Sequence, residues 1–421
     1  MPQDIESQNR RSRGFIIAEA AVEYFIALCV TSTFLTAILN HMEVSSAHQG
    51  VIASISQLAC GVQLLAVFGV RRTYPCRRWV SILNLVNQLL FALLYLVPLT
   101  PLPQAVKLAA FVVMLLCAYF CQHYLTPSRT QWHMSLVDDH HRGIFTANKE
   151  IISLVGGMIF SQSAGILFDH LKAAGRTEAA FVVFAAAITI MAIGHFALML
   201  TIREPEPPHA VPPKRFGEIV RTVFGDRQLR TVIVFDALFS ITLVPAHFSA
   251  VYLTRTIGFS YTVVTLFSVV QAAVRAVASR PLGRYADGRS WVSMLRLCMT
   301  VSAAGCLFYA FCTPATPLFY ALYTVCHAFS LGGTNSGRTN LCFDYVAPDD
   351  RRYVLGVKAA ISGIVNFIVT LLAARVVDAI EANGNAVFGV AVYPQQVLFA
   401  ANAVLLGALV LWFLPRLRKK D

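Results

Sequence analysis

Charge is scarce in this 421-residue chain: Asp, Glu, Lys and Arg supply 13% of it, and apolar residues 57%. A soluble globular domain carries about a quarter charged residues, so that class is excluded. Cysteines placed to cross-link are also lacking. Eight of the ten lie within or at the ends of apolar runs and only Cys76 and Cys342 fall in loops, which excludes a disulfide framework and a zinc-ligand spacing. No Gly-x-x-x-x-Gly-Lys phosphate loop occurs, so ATP-driven pumping by this chain alone is not expected. The opening residues, MPQDIESQNRRSRG, are polar and lead straight into a 26-residue apolar stretch, so no removable signal peptide is expected.

What is abundant is continuous apolar sequence, with a mean hydropathy of +0.62. A bilayer core about 30 Å thick needs around 20 apolar helical residues to cross it. Twelve such stretches occur, near 15–40, 48–70, 79–98, 105–125, 145–168, 179–202, 231–254, 261–280, 291–312, 316–337, 353–377 and 394–415. They do not alternate over about ten residues, so helices rather than a barrel are predicted. The net charge of +12 raises the question of a nucleic-acid partner, and its distribution answers it. Of 34 Lys and Arg, 27 fall in the two tails and in the segments that an even number of crossings places on the same side. The opposite loops hold four: Lys107, Lys172, Arg176 and Arg255. The basic excess is therefore a topology signal that puts both termini in the cytoplasm, with a lipid bilayer and no nucleic acid as partner.

The chain repeats itself. Arg78–Leu85, RWVSILNL, returns as SWVSMLRL at Ser290–Leu297. With a shift of 209, Arg142, Lys149, Ser153, Asp169 and Gly175 meet Arg351, Lys358, Ser362, Asp378 and Gly384. Each copy contains six spans, an even number, so the copies enter the membrane in the same orientation, as parallel repeats do. The expected organisation is a bundle over 1–202, a Pro-rich cytoplasmic linker over 203–230 whose second half forms an amphipathic helix, and a second bundle over 231–421.

Twelve spans, a 6+6 parallel repeat, a long central connector and basic loops after spans 2 and 8 resemble the major facilitator superfamily of secondary transporters. GRYADGR after span 8 adds to this, because Gly283, Asp287 and Arg289 match the superfamily's Gly-x-x-x-Asp loop motif. The first-copy counterpart, GVRRTYPCRR, keeps Gly69 and the arginines but has no Asp. The resemblance implies an all-α membrane protein of twelve transmembrane helices in two pseudo-symmetric six-helix bundles. It also implies alternating access to a central site lined by spans 1, 4, 7 and 10.

Ionisable groups inside spans are costly and point to function or to a partner. Glu19 and Glu23 share a face of span 1, Asp236 is the repeat equivalent of Glu23, and Arg129 and Arg338 are equivalents on spans 4 and 10. The double symmetry predicts that Glu23 pairs with Arg129 and Asp236 with Arg338; the alternative is snorkelling arginines and carboxylates that cap helix starts. Polar groups present in one copy only are the better candidates for substrate or coupling ion. These are Glu19 opposite Val232, Arg275 opposite Gly61, His247 opposite Phe34, His123 opposite Gly332, His327 opposite Ala118 and Asn366 opposite Gly157. Gln57 and Gln271 occur in both copies, and Gln271 lies one turn from Arg275, where together they suit an anionic or polyol substrate. Lys149, Glu150 and Lys358 open spans 5 and 11 as anchors or gate partners. Arg375 is expected to pair with Asp378, three residues along the same helix.

HMSLVD, His133 to Asp138, matches a His-x4-Asp acyltransferase-like pattern in a loop, but no nucleophile or metal set accompanies it, so an enzyme is not expected. The expected function is transport of a small molecule by alternating access, coupled to protons and favouring symport, by a monomer of the plasma (cytoplasmic) membrane without cofactor or metal. A drug/proton antiporter is the alternative. The Gly-Pro-x-x-Gly-Gly signature of such antiporters is reduced here to FSQSAG at Phe160–Gly165. A non-transporting sensor or partner protein on the same fold is the reading from another class, and the lack of a soluble domain counts against it.

Overall fold

In hydrocarbon, backbone amides find no partner but one another, and the apolar runs accordingly fold as helices. The computed structural model describes residues 2–69, 76–137, 142–204, 216–346, 350–387 and 389–417. The first repeat comprises α1 (Pro2–Cys29), α2 (Ser32–His41), α3 (Ser46–Ala53), α4 (Ile55–Ala59), α5 (Val62–Gly69), α6 (Cys76–Leu94), α7 (Gln104–Ser135), α8 (Arg142–Ala173) and α9 (Thr177–Thr201). After the short α10 (Phe216–Gly225), the second repeat comprises α11 (Arg227–Ile241), α12 (Ser249–Val251), α13 (Tyr261–Gly288), α14 (Trp291–Ala310), α15 (Leu318–Phe343), α16 (Arg351–Ala382) and α17 (Pro394–Ala408). A two-stranded antiparallel hairpin, β1 (Ala386–Val387) with β2 (Val390–Ala391), joins the last two helices.

Among the described residues, ten helical segments are long and apolar enough to cross a membrane. The expected twelve are completed by α6 and α15, 19 and 26 residues long, whose hydropathy is diluted by side chains such as Asn84, Gln88, Asn335 and Arg338. The chain is a multi-pass integral membrane protein. Large apolar side chains such as Ile190, Val277 and Val404 stand exposed while Glu19 and Asp236 are buried, as a lipid solvent requires.

The chain forms two compact units, Met1–Val44 with Ala59–Pro213 and Ser45–Leu58 with Lys214–Asp421. In the first, α1 packs on α8 and α9, and α6 on α7 and α9. One core cluster gathers Ile16, Val80, Leu125, Trp132 and Met199. In the second, α15 packs on α13 and α14, and α16 lies against α11. The first-repeat segment α3 sits in this second unit, where Ala47 joins Val244, Phe248, Ala373 and Val377. A Cβ on Gly50 would run into the Phe248 ring. Gly50→Ala should therefore lower stability by about 1–3 kcal/mol, and Phe248→Leu should restore part of it, read by thermal unfolding in detergent.

Several boundaries differ from expectation. Helix α7 continues through Pro127 to Ser135, ten residues past the expected end, because Trp132 is buried in the core cluster and its indole N–H donates to the Arg203 carbonyl at 2.8 Å. His133 is thus helical and not in a loop. Cys342 likewise lies buried within α15. The Gly283–Asp287 motif belongs to α13, which runs on to Gly288 with Pro281 inside it, and not to a loop. Span 7 starts at Arg227, where Asp226 caps it by accepting from the Gln228 and Leu229 amides at 2.7 and 3.0 Å, so the linker is shorter than expected. Helix α10 is the expected amphipathic helix, and it packs on α11 and α16 with Ile219 and Val223 buried. Since α8 and α16 begin at Arg142 and Arg351, Lys149 and Lys358 lie about two turns inside their helices and do not open them. No ion pair joins Arg375 to Asp378; both are exposed, where such a pair gains little. The first-copy loop at 70–75, Asp138, and the linker residues 205–215 lie outside the described residues.

Spans 1 and 7 are both broken, at equivalent places. Span 1 stops at Cys29 and restarts at Ser32, whose φ is +42°. Span 7 stops at Ile241 and passes into a tight turn at Val244–Phe248. A broken helix frees carbonyls that lipid cannot satisfy. The Tyr95 hydroxyl donates to the Cys29 carbonyl, and in the other copy Asn366 donates to Ser240 O at 2.7 Å and Asn402 to Thr242 O at 2.9 Å.

Candidate functional site

Below each break lies a buried ionic cluster. In the first unit Glu23 and Arg129 form an ion pair at 2.5 Å, joining α1 to α7 as the repeat symmetry predicts. One turn earlier on α1, Glu19 is 1% exposed. Its Oε2 accepts from His195 Nε2 at 2.7 Å, and its Oε1 lies 3.4 Å from His133 Nδ1. Both histidines are buried, at 1% and 3% exposure.

The other ring nitrogen of His195 faces two amides, Asn84 Nδ2 and Gln88 Nε2, each at 2.9 Å. Two amide donors require an acceptor, so Nδ1 is unprotonated and the ring proton sits on Nε2, directed at Glu19. Asn84 and Gln88, four apart on α6, thus orient a histidine on α9 toward a carboxylate on α1. Ring-nitrogen NMR on 15N-histidine protein should report the Nε2–H tautomer for His195 at neutral pH, and Asn84→Leu with Gln88→Leu should remove that preference. His133 is less committed: its Nε2, like Gln88 Oε1, is buried with no hydrogen-bond partner among the described residues. Arg129 and Lys149 act on His133 through space.

In the second unit Asp236 is 2% exposed and saturated. Its Oδ1 accepts from Arg338 Nε at 2.7 Å and Lys358 Nζ at 3.2 Å, and its Oδ2 accepts from Ser362 Oγ at 2.7 Å. The Arg338 guanidinium also lies 4.3 Å over the Phe239 ring. The repeat-equivalent clusters therefore differ in charge. In the first, Arg129 pairs with Glu23 and a second carboxylate, Glu19, meets two histidines; in the second, one carboxylate meets two cations.

The other candidates separate into packing and fold-supporting groups. His123 Nδ1 lies 2.9 Å from Gln63 Nε2, with Cys60 Sγ 3.7 Å from Nε2, so the ring lies over the Gly61 segment. In the second unit the counterpart of His123 is Gly332, where a Cβ would meet the Arg275 carbonyl at 3.2 Å. Arg275 and Gln271 remain half-buried on one face of α13. His247 Nε2 donates to Asn366 Oδ1 at 3.1 Å, so these two candidates form one unit that supports the break in span 7. His327 stacks on Tyr323 at 5.2 Å. Gln57 lies on α4, where its backbone amide donates to Ser54 O at 2.9 Å. Gly283 has open space around it, Asp287 is exposed, and Arg289 Nη1 donates to the Tyr285 hydroxyl at 3.0 Å.

Sequence reasoning did not select His195, Asn84 or Gln88, and it set His133 aside with the acyltransferase pattern. A signal was present: Asn84, Asn87 and Gln88 crowd polar amides into a 19-residue span, and such amides need partners.

Two helical repeats thus each set a buried ion cluster beside a broken helix. Solved transporters share the fold. A mutant of the nucleoside transporter NupG superposes with a TM-score of 0.74 at 11% identity, over 97% of this chain and 100% of that one. The D-xylose-proton symporter gives 0.71 at 14% identity over 97% and 99%, and the E. coli fucose:proton symporter FucP gives 0.58 at 14% over 96% and 98%. At these identities the likeness establishes the fold alone. Residues 230–421 match the family model of the Major Facilitator Superfamily. That match covers the C-terminal half of the chain, and the fold shared with solved transporters covers nearly its whole length. No curated protein matches it by sequence.

Proposed function

We propose that the protein is a proton-coupled symporter that moves a small polar molecule across the cytoplasmic membrane by alternating access, as a monomer with both termini inside. The observation that carries this reading is the buried Glu19 between His133 and His195, present in one repeat only. Glu19 is a buried carboxylate flanked by two histidines, and His133 keeps one ring nitrogen uncommitted, as a proton-handling group requires. Asp236, saturated by two cations and a hydroxyl, has no such capacity; with Arg338 and Lys358 it serves as a latch, as Glu23 and Arg129 do in the first unit. Gly283, Asp287 and Arg289 contribute to the inner gate, and Arg275 with Gln271 remains the candidate contact for a hydroxyl-rich or anionic substrate. The similar structures are those of a nucleoside transporter and of D-xylose and fucose proton symporters, which sets the compounds to try first.

The test is uptake of labelled pentoses, fucose and nucleosides into proteoliposomes, with and without an inward proton gradient. Accumulation of one compound that collapses on adding a protonophore is the expected result. Gradient-independent uptake would remove the coupling, and accumulation only with the gradient reversed would replace symport by antiport.

A further inference from the structure

The start of α11 and the end of the chain enclose a cavity of about 770 Å³ within the second unit. This lies within the range of small-ligand clefts, roughly 300–1,000 Å³. Its wall is charged at one end and apolar at the other. Arg227, Arg230, Thr231 and Val234 follow one another at i, i+3, i+4 and i+7, so a single face of α11 lines it, and Phe413 and Arg416 close the opposite side. None of the three arginines takes part in an ion pair among the described residues, and the nearest carboxylate in sequence, Asp226, is occupied by the amides of Gln228 and Leu229. The chain then continues Arg418, Lys419, Lys420.

Arg227 and Arg230 occupy the first turn of α11, while Val234 lies two turns beyond Arg227, about 10 Å along the axis. Just before Phe413 in the chain, Leu411 and Trp412 are 69% and 70% exposed. Exposed apolar side chains at the end of a spanning helix face acyl chains, with tryptophan at the headgroup level. A ligand that fits this wall has an anionic head and an apolar body.

We propose that this groove binds an anionic phospholipid, with Arg227, Arg230 and Arg416 holding the phosphate and Val234 and Phe413 lying along the first acyl carbons. Arginine suits the role because its planar fork meets phosphate oxygens in pairs. The groove is independent of the ionic clusters and of any substrate.

The full-length protein in detergent is mixed with short-chain phosphatidylglycerol, phosphatidylcholine or inorganic phosphate. Each mixture is followed by native mass spectrometry and thermal unfolding. Phosphatidylglycerol should be retained and raise the unfolding temperature, while phosphatidylcholine and phosphate alone should do neither. The triple variant Arg227→Gln, Arg230→Gln, Arg416→Gln should bind phosphatidylglycerol about a hundredfold more weakly, from about fivefold per cation, and Lys at the three positions should recover part of the loss. Equal retention of the two lipids, or a triple variant that binds as wild type does, overturns the proposal. Full competition by inorganic phosphate would make this a free-anion site and overturn the lipid assignment. If the triple variant does not fold, these wild-type comparisons decide.

Discussion

Replacing Glu19 by Gln should abolish gradient-driven accumulation while leaving substrate exchange across the membrane intact. A one-unit pH gradient is worth about 1.4 kcal/mol and supports about tenfold accumulation at one proton per substrate. The wild-type protein should approach that ratio, and Glu19→Gln should fall to about one. The amide keeps an oxygen for the His195 Nε2–H, now 2.7 Å from the carboxylate, so the fold and the packing around α1 should survive. What it loses is the carboxylate charge held between His133 and His195, to which the proposed coupling is assigned. Accumulation by Glu19→Gln at the wild-type ratio would end the coupling assignment. Loss of exchange as well would reduce Glu19 to a structural acid. Glu23→Gln should behave differently, because it leaves Arg129 without its partner and lowers stability before it alters coupling.

Asp236→Asn should be the most destabilising single change in the second unit. It removes the one carboxylate that Arg338 and Lys358 share in a buried site. Breaking a buried pair by deleting one partner costs about 3–5 kcal/mol, because the remaining charge is left uncompensated. Here two cations remain, so the loss in thermal unfolding should reach the top of that range. Adding Lys358→Met to Asp236→Asn removes one of the stranded charges and should return a large part of the stability. Additive losses in the double variant would show that Lys358 and Asp236 do not act as a unit. By the same reasoning, exchanging the charges of Glu23 and Arg129 in a double variant should recover function that either single change loses.

Both ion pairs were legible in the sequence because duplication displays them twice. A carboxylate at Glu23 and at Asp236, with an arginine at Arg129 and at Arg338, is a pattern that single spans do not show. Lys358 was legible as a repeat partner of Lys149, but not as a ligand of Asp236, since the apolar run seemed to begin at it when the helix begins two turns earlier. His133 was hidden for a related reason. Pro127 and the polar residues after it look like a helix end, and only the burial of Trp132 and its bond to Arg203 O show that α7 continues. The selection of polar groups found in one copy picked out Glu19, which the structure buries between two histidines, and His123, whose ring is held by Gln63 and Cys60. A difference between copies records close packing as readily as chemistry: at Gly332, the counterpart of His123, a Cβ would meet Ala278 and the Arg275 carbonyl.

The sequence by itself determined the number of crossings, their duplication and the residues that could carry charge inside the membrane. Each follows from one-dimensional quantities: the length of apolar runs, the spacing of repeated residues and the cost of an ion in hydrocarbon. Only the tertiary structure decided which of those charges meet. Glu19, Asn84, Gln88, His133 and His195 come from four helices separated by up to 176 residues, and a carboxylate left in apolar surroundings is stable only where packing brings donors within about 3 Å. Helix pitch and membrane thickness place each residue along the bundle, but only the packing of side chains sets which faces turn inward together.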